Sequence, residues 1–190
     1  MKSRITNCIN ASIKVKELVL IDSEILNNIE EIVLKSVEAF NADKKMLLCG
    51  NGGSASDAQH IASELSGRFY LERRPLFAEA LHVNSSFVTA VANDYGYDNI
   101  YSRMVEAAGR DGDILIGIST SGNSTNVVNA IEKANKIGMT TIGFTGEKGG
   151  KMNDICDITI RIPSTDTPRI QELHILVGHI ICQLIEEELF

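Results

Sequence analysis

One stretch constrains the fold of this chain more than any other: Met46-Leu47-Leu48-Cys49-Gly50-Asn51-Gly52-Gly53-Ser54, continuing through Ala55, Ser56, Asp57 and Ala58 to His60 and Glu64. A short apolar run that ends in Gly-Asn-Gly-Gly-Ser and then turns helical predicts a buried strand, a tight turn and a helix N-terminus. The glycines let the backbone turn sharply and approach a ligand, and Ser54 or Ser56 is available as a cap. The first turn of such a helix offers unpaired N–H groups and the positive end of its dipole, a seat for an anion. Farther along, His60 and Glu64 are four residues apart and share one face. An anion or sugar seat followed by an acid/base or metal-type pair is the layout of a functional site.

Gly50 to Ala55 also fits G-x-G-x-x-G/A, the dinucleotide fingerprint. That ligand requires an acidic residue at the end of the next strand, about 20 residues past the glycines. The candidates, Glu72 and Glu79, fall before the second strand and within it. The G-x-x-x-x-G-K-[ST] loop of triphosphate sites is absent. No nucleotide cofactor is expected.

At 190 residues the chain suits one sizeable core, read as a single domain over 1–190, with N-terminal helices over 1–42 and an α/β core over 43–190. A net charge of -7 argues against a general nucleic-acid or membrane-surface binder. It leaves room for a local anion site built from backbone N–H groups and hydroxyls. Cys8, Cys49, Cys156 and Cys182 form no CxxC pair and read as reduced thiols, Cys49 and Cys182 buried. With no apolar signal core and no run of about 18 apolar residues, a cytoplasmic location is expected.

In chain order, helices are expected over 3–20 and 23–41, the second on the spacing of Ile25, Leu26, Ile29, Ile32, Val33, Val37 and Phe40, with Asp22 or Ser23 starting it. After the organising helix, Arg68 to Pro75 reads as a polar loop with a solvated basic face, Arg68 being its one candidate for a substrate contact. A strand follows over Phe77–Val83, a short helix over Ser85–Ala92, a turn at Asn93-Asp94-Tyr95-Gly96 and a helix over Asp98–Ala108. The third strand, Asp113–Ile118, runs into Ser119-Thr120-Ser121-Gly122-Asn123-Ser124-Thr125 and a further helix through Lys136. Capping needs one hydroxyl; this loop has five, enough with the helix amides to hold a phosphate without a lysine. Strands at Met139–Thr145 and Asp157–Ile162 and a final helix from Thr167 to about Leu189 complete the chain. The last helix is apolar nearly all round, so the sheet or a partner subunit must cover it; Gln171, His174 and His179 are its polar exceptions.

This order predicts a three-layer α/β sandwich around a five-stranded, mostly parallel sheet, preceded by an N-terminal helical pair. Ligands of open parallel sheets collect at the carboxyl ends of the strands, where both the Gly50–Ser54 turn and the Ser119–Ser124 loop lie.

Cys49-Gly50-Asn51-Gly52-Gly53-Ser54 with Asp57-Ala58-Gln59-His60 and Glu64, then Gly117-Ile118-Ser119-Thr120-Ser121-Gly122-Asn123-Ser124, then Arg169-Ile170-Gln171-Glu172-Leu173-His174 and His179, resembles the phosphoheptose isomerases of the sugar-isomerase (SIS) superfamily. The similarity runs from about residue 24 onward. It implies conversion of sedoheptulose 7-phosphate to D-glycero-D-manno-heptose 7-phosphate, the first step of bacterial heptose synthesis for surface polysaccharide. Glu64 and His179 would be the catalytic pair. Ser119, Thr120, Ser121 and Ser124 would hold the phosphate, and Asn51, Gly52, Gly53, Ser54, Glu64, Asn93, Asp94 and Gln171 would meet the substrate.

The resemblance also implies zinc on His60, Glu64, Gln171 and His179, and a homotetramer with active sites at subunit interfaces. Gln171 and His179 are about 12 Å apart along a helix axis, so the two side chains must lean together to share an ion. Where this chain has Thr167-Pro168, some family members carry Asp. Relatives of another class bind the replication initiator or sense phosphosugars without catalysis; the initiator-binding ones lack residues matching Glu64 and His179, which this chain retains.

Overall fold

A computed structural model describes residues 1–190. The elements are α1 (Lys2–Leu20), α2 (Ser23–Asn41), β1 (Met46–Gly50), α3 (Gly53–Ser66), β2 (Ala78–Ala80), α4 (Ser85–Tyr95), a 3₁₀ turn (Tyr97–Asn99), α5 (Ile100–Ala108), β3 (Ile114–Ile118), α6 (Thr125–Ile137), β4 (Thr140–Gly146), α7 (Met152–Ile155), β5 (Ile158–Ile162) and α8 (Thr167–Leu189). The five strands form one parallel sheet in the order β2-β1-β3-β4-β5.

Side chains alternate across the strands and divide the core in two. Met46 and Leu48 of β1, Ile114, Ile116 and Ile118 of β3 and Phe144 of β4 face α2, α3 and α8. Leu47, Cys49 and Leu115 face α5 and α6 on the opposite side. The three central strands are therefore covered on both faces, as the continuous apolar runs of β1 and β3 require. The edge strand β5 keeps the alternation of a half-covered strand, with Ile158, Ile160 and Ile162 inward.

Most boundaries agree with the expectations, and the differences have local causes. Asp22 caps α2, its carboxylate accepting from the Glu24 and Ile25 amides at 3.0 and 3.2 Å. The second strand is shorter than Phe77–Val83: β2 pairs only with β1, and the pairing stops at Leu48 and Ala80. Asn93, Asp94 and Tyr95 belong to the last turn of α4 rather than to a turn, because the chain reverses only at Gly96, where φ is +85°. The one-turn α7, which buries Met152, has no counterpart in the sequence reading. In α1 only Val15 and Val19 are buried.

In this strand order the helix after β1 packs on one face and the helix after β3 on the other. The two loops diverge and leave a crevice between neighbouring strand ends, the switch point at which such sheets bind ligands.

Candidate active site

The Gly50–Ser54 turn forms one wall of that crevice. Gly52 is the residue before α3, at φ +56°, and no side chain caps the helix. Neither expected serine cap forms: Ser54 is buried, and Ser56 Oγ donates back to the Gly52 carbonyl at 3.4 Å. The first amides of α3 are thus left to the turn and to a ligand. Gly50 is required by close packing, since a Cβ there would stand 2.7 Å from the Ser54 carbonyl oxygen.

The serine loop forms the other wall. Ser119 Oγ is bonded to Ser124 Oγ at 2.8 Å and to Ser121 Oγ at 3.3 Å. Ser124 precedes α6 yet makes no side-chain cap, so the hydroxyls bond to one another across the loop. The loop is clamped from behind: the Gly146 amide donates to the Thr120 carbonyl at 3.0 Å, and Met152 N donates to Gly122 O at 3.1 Å. Gly122, at φ +65°, has no room for a side chain, because a Cβ would lie 1.8 Å from the Gly149 carbonyl oxygen. Three linked hydroxyls at a helix N-terminus suit an anion.

The chemistry-bearing residues lie where α3 and α8 run side by side in one direction, His60 exposed and Glu64 and His179 half-buried. His60 Nε2 is 3.0 Å from Glu64 Oε1 and 3.4 Å from His179 Nε2. The His60 and His179 rings meet edge to face, with centroids 4.9 Å apart. One ligand atom from each of His60, Glu64 and His179 falls within 4.8 Å of the others, a set of two imidazoles and a carboxylate that fits a divalent cation with an open position. Gln171 is placed elsewhere: its Nε2 would be 2.6 Å from a Cβ on Gly53, at the start of α3. That is about 10 Å along the helix from His60. The two substrate-side expectations on α4, Asn93 and Asp94, are exposed and bonded to each other at 2.8 Å.

Several groups around this centre were missed by the sequence reading. Asp57, between Gly53 and His60 on α3, has a buried Oδ2 without a partner. Burial raises its carboxyl to about 6, against the opposing pull of His60. Phe69 lies against the His179 ring at 5.7 Å. Arg73 is buried rather than part of a solvated basic face, and donates to the carbonyls of Glu64 and Leu65 at 2.9 Å each. Arg68 lies on the solvated face, loosely paired with Glu72 at 3.9 Å. Cys182, whose thiol burial and the Glu64 charge push up to about 12, stays protonated and is no nucleophile at neutral pH.

His174 is a buried structural group. Its Nε2 donates to the Thr145 carbonyl at 3.1 Å, and burial lowers its pKa to about 4, so the ring is neutral.

Comparison with known proteins agrees with this fold. The SIS domain family model matches residues 15–146. A phosphoheptose isomerase from Clostridium acetobutylicum is 52% identical over all of this chain and 97% of the relative, and one from Aneurinibacillus thermoaerophilus is 50% identical over all of this chain and 96% of the relative. The solved structure of a phosphoheptose isomerase from Neisseria gonorrhoeae superposes with a TM-score of 0.92 at 39% identity, covering 98% of each chain. One from Francisella tularensis gives 0.86 at 35% identity, covering 97% of each. With its fold, strand-end loops and sequence all in agreement, the chain belongs to the phosphoheptose isomerase family of SIS-domain proteins.

Proposed function

We propose that this protein is an aldose–ketose isomerase that converts sedoheptulose 7-phosphate to D-glycero-D-manno-heptose 7-phosphate, opening the synthesis of bacterial heptose. The observation that carries the reading is the convergence of His60, Glu64 and His179 at 3.0 and 3.4 Å, beside two strand-end loops suited to a phosphosugar. The relatives named above support the substrate class. The whole chain acts as one domain in the cytoplasm.

The phosphate takes its hydrogen bonds from Ser119, Thr120, Ser121 and Ser124 and from the first amides of α6. The sugar extends toward Asn51, Gly52, Gly53, Ser54 and Gln171, with Asn93 and Asp94 closing the opposite side. The Glu64 carboxylate removes a proton from C1, the electrons form a C1–C2 enediol, and the Glu64 acid, after exchanging its proton with solvent, protonates C2. His179 handles the complementary proton between the O1 and O2 oxygens, so the shift from ketose to aldose balances without an external reagent. A divalent metal such as zinc, held by His60, Glu64 and His179, would polarise the sugar oxygens when bound. Gln171 completes that set only by swinging from its place against Gly53. The exposed apolar face of α1 supports a homotetramer, with active sites built between subunits.

The test is incubation with sedoheptulose 7-phosphate in deuterated water, followed by NMR. An aldoheptose 7-phosphate peak carrying deuterium at C2 and lost in Glu64→Gln is the expected result. Saturable binding without turnover would instead favour a phosphosugar sensor.

A further inference from the structure

The carboxamides of Asn51 and Asn126 exchange two hydrogen bonds, each side chain donating from Nδ2 to the other's Oδ1 at 2.9 Å. The Val127 amide also donates to Asn126 Oδ1, at 3.0 Å. A flipped Asn126 would set two donors against each other, so the backbone of α6 fixes the orientation of both amides. Tyr97 Oη donates to Asn51 Oδ1 at 3.0 Å, which fills that oxygen. Only one N–H of the Asn51 side chain remains uncommitted.

These residues span the crevice. Asn51 is the first residue after β1, on the glycine turn; Asn126 is the second residue of α6, behind the serine loop, and is 2% exposed. The 3₁₀ turn that carries Tyr97 is itself tied to α6, since Asn129 Nδ2 donates to the Asp98 carbonyl at 2.9 Å. Next to Asn51, the Gly50 carbonyl accepts from Tyr101 Oη. The glycine turn is thus held from the α6 side at two successive residues, although α3 and α6 pack on opposite faces of the sheet.

We propose that Asn126 and Tyr97 are positioning residues that set the separation between the phosphate-holding serine loop and the sugar-facing glycine turn. The Asn51 side chain belongs to this strap, and Asn51 meets the ligand through its backbone. The proposal rests on the phosphosugar-isomerase reading above. A substrate anchored by its phosphate at α6 must present C1 and C2 to Glu64. A shift of about 1 Å between the two loops costs roughly a hundredfold in rate. Inorganic phosphate touches only the anion end and is indifferent to that separation.

The experiment compares wild type, Asn126→Ala, Tyr97→Phe and the double variant for kcat and KM on sedoheptulose 7-phosphate, for competitive inhibition by inorganic phosphate, and for Tm. Expected is a fall in kcat/KM of roughly a hundredfold for Asn126→Ala and about tenfold for Tyr97→Phe, which loses a single hydrogen bond. The double variant should fall no further than Asn126→Ala by more than a small factor, and phosphate inhibition should stay within about twofold of wild type. Tyr97 is exposed, so its variant keeps the test alive if Asn126→Ala does not fold. Unchanged kcat/KM in both variants would overturn the proposal, as would phosphate affinity and Tm falling in step with kcat/KM, the pattern of a purely structural prop. A wild type that neither turns over the sugar nor binds phosphate would overturn the isomerase reading itself, and the proposal with it.

Discussion

Arg73 and Glu186, 113 residues apart in the chain, meet through Nε and Oε1 at 2.8 Å with side chains 1% and 2% exposed. The carboxylate also accepts from the amides of Phe69, Tyr70 and Leu71 at 3.2, 2.7 and 2.8 Å. Burial alone would raise the Glu186 carboxyl, but these donors and the guanidinium outweigh it and hold its pKa below the ordinary range. Every charge in the pair is satisfied, so its value lies in what it fixes: the carbonyl of Glu64 on α3 and the Phe69 ring over His179.

Removing one partner leaves the other buried and unpaired. Glu186→Ala should therefore cost about 3–5 kcal/mol of unfolding free energy at pH 7, read by urea denaturation. The unfolded carboxyl protonates in the ordinary range, so this stabilisation is present above that range and lost as pH falls through the lower folded value. Glu186→Ala should accordingly show a flatter stability profile in acid than wild type. A loss below 1 kcal/mol would mean that the pair does not hold the loop.

Two other groups give pH dependences of opposite sign. His174 is neutral when folded, with a pKa of about 4, and ordinary when unfolded. The unfolded chain binds the extra proton, so stability is full above about pH 6.5 and falls between there and about 4 by roughly 3 kcal/mol. Asp57, raised to about 6, binds its proton more tightly in the folded state. Its contribution is present below the unfolded value and is lost as pH rises through about 6. Asp57→Asn should therefore stabilise the protein at pH 8 and make no difference near pH 4. His174→Asn should flatten the decline between pH 6.5 and 4. Denaturation midpoints for the two variants across that window separate the effects.

Gly53→Ala tests the place of Gln171. The new Cβ would stand 2.6 Å from Gln171 Nε2, the far end of a flexible side chain, so the amide can move aside at little cost to the fold. Expected is a Tm within a few degrees of wild type and a clear drop in kcat/KM, since the displaced amide leaves the sugar's end of the crevice. Unaltered kinetics would show that Gln171 serves no ligand there.

What the sequence revealed follows from the range of the interactions. The β1–α3 and β3–α6 junctions were legible because each is local: an apolar run meets glycine or hydroxyl residues within a few positions, and the sheet order then brings the two together. His60 and Glu64 were legible through helical spacing, but their meeting with His179 is a contact across 119 residues that only the packing of α3 against α8 creates. Asn126 looked like one more polar residue after a serine loop; its role depends on a partner 75 residues away. Glu186 was hidden in the run Glu186-Glu187-Glu188, where only its helical phase with Cys182 and Ile185 marks it as inward. The serine caps failed for a local reason. Gly52, at positive φ, occupies the cap position before α3, two residues ahead of Ser54, so neither serine stands where a cap must.

The last prediction concerns α1. Ile5, Ile9 and Ile13 recur every four residues on one face and are 52%, 55% and 45% exposed, while Arg169 Nη1 donates to the Cys8 carbonyl at 2.7 Å and ties the helix to the start of α8. A helix pinned in place with an uncovered apolar stripe is arranged for a partner, and a second copy of the chain is the partner our reading requires. Light scattering should give a mass well above the monomer, and Ile9→Glu, which buries a charge in the contact, should lower it. If active sites are shared between subunits, turnover per chain should fall over the same dilution range in which the assembly dissociates. Full turnover by a monomeric Ile9→Glu variant would confine the site to one subunit, leaving α1 a structural role alone.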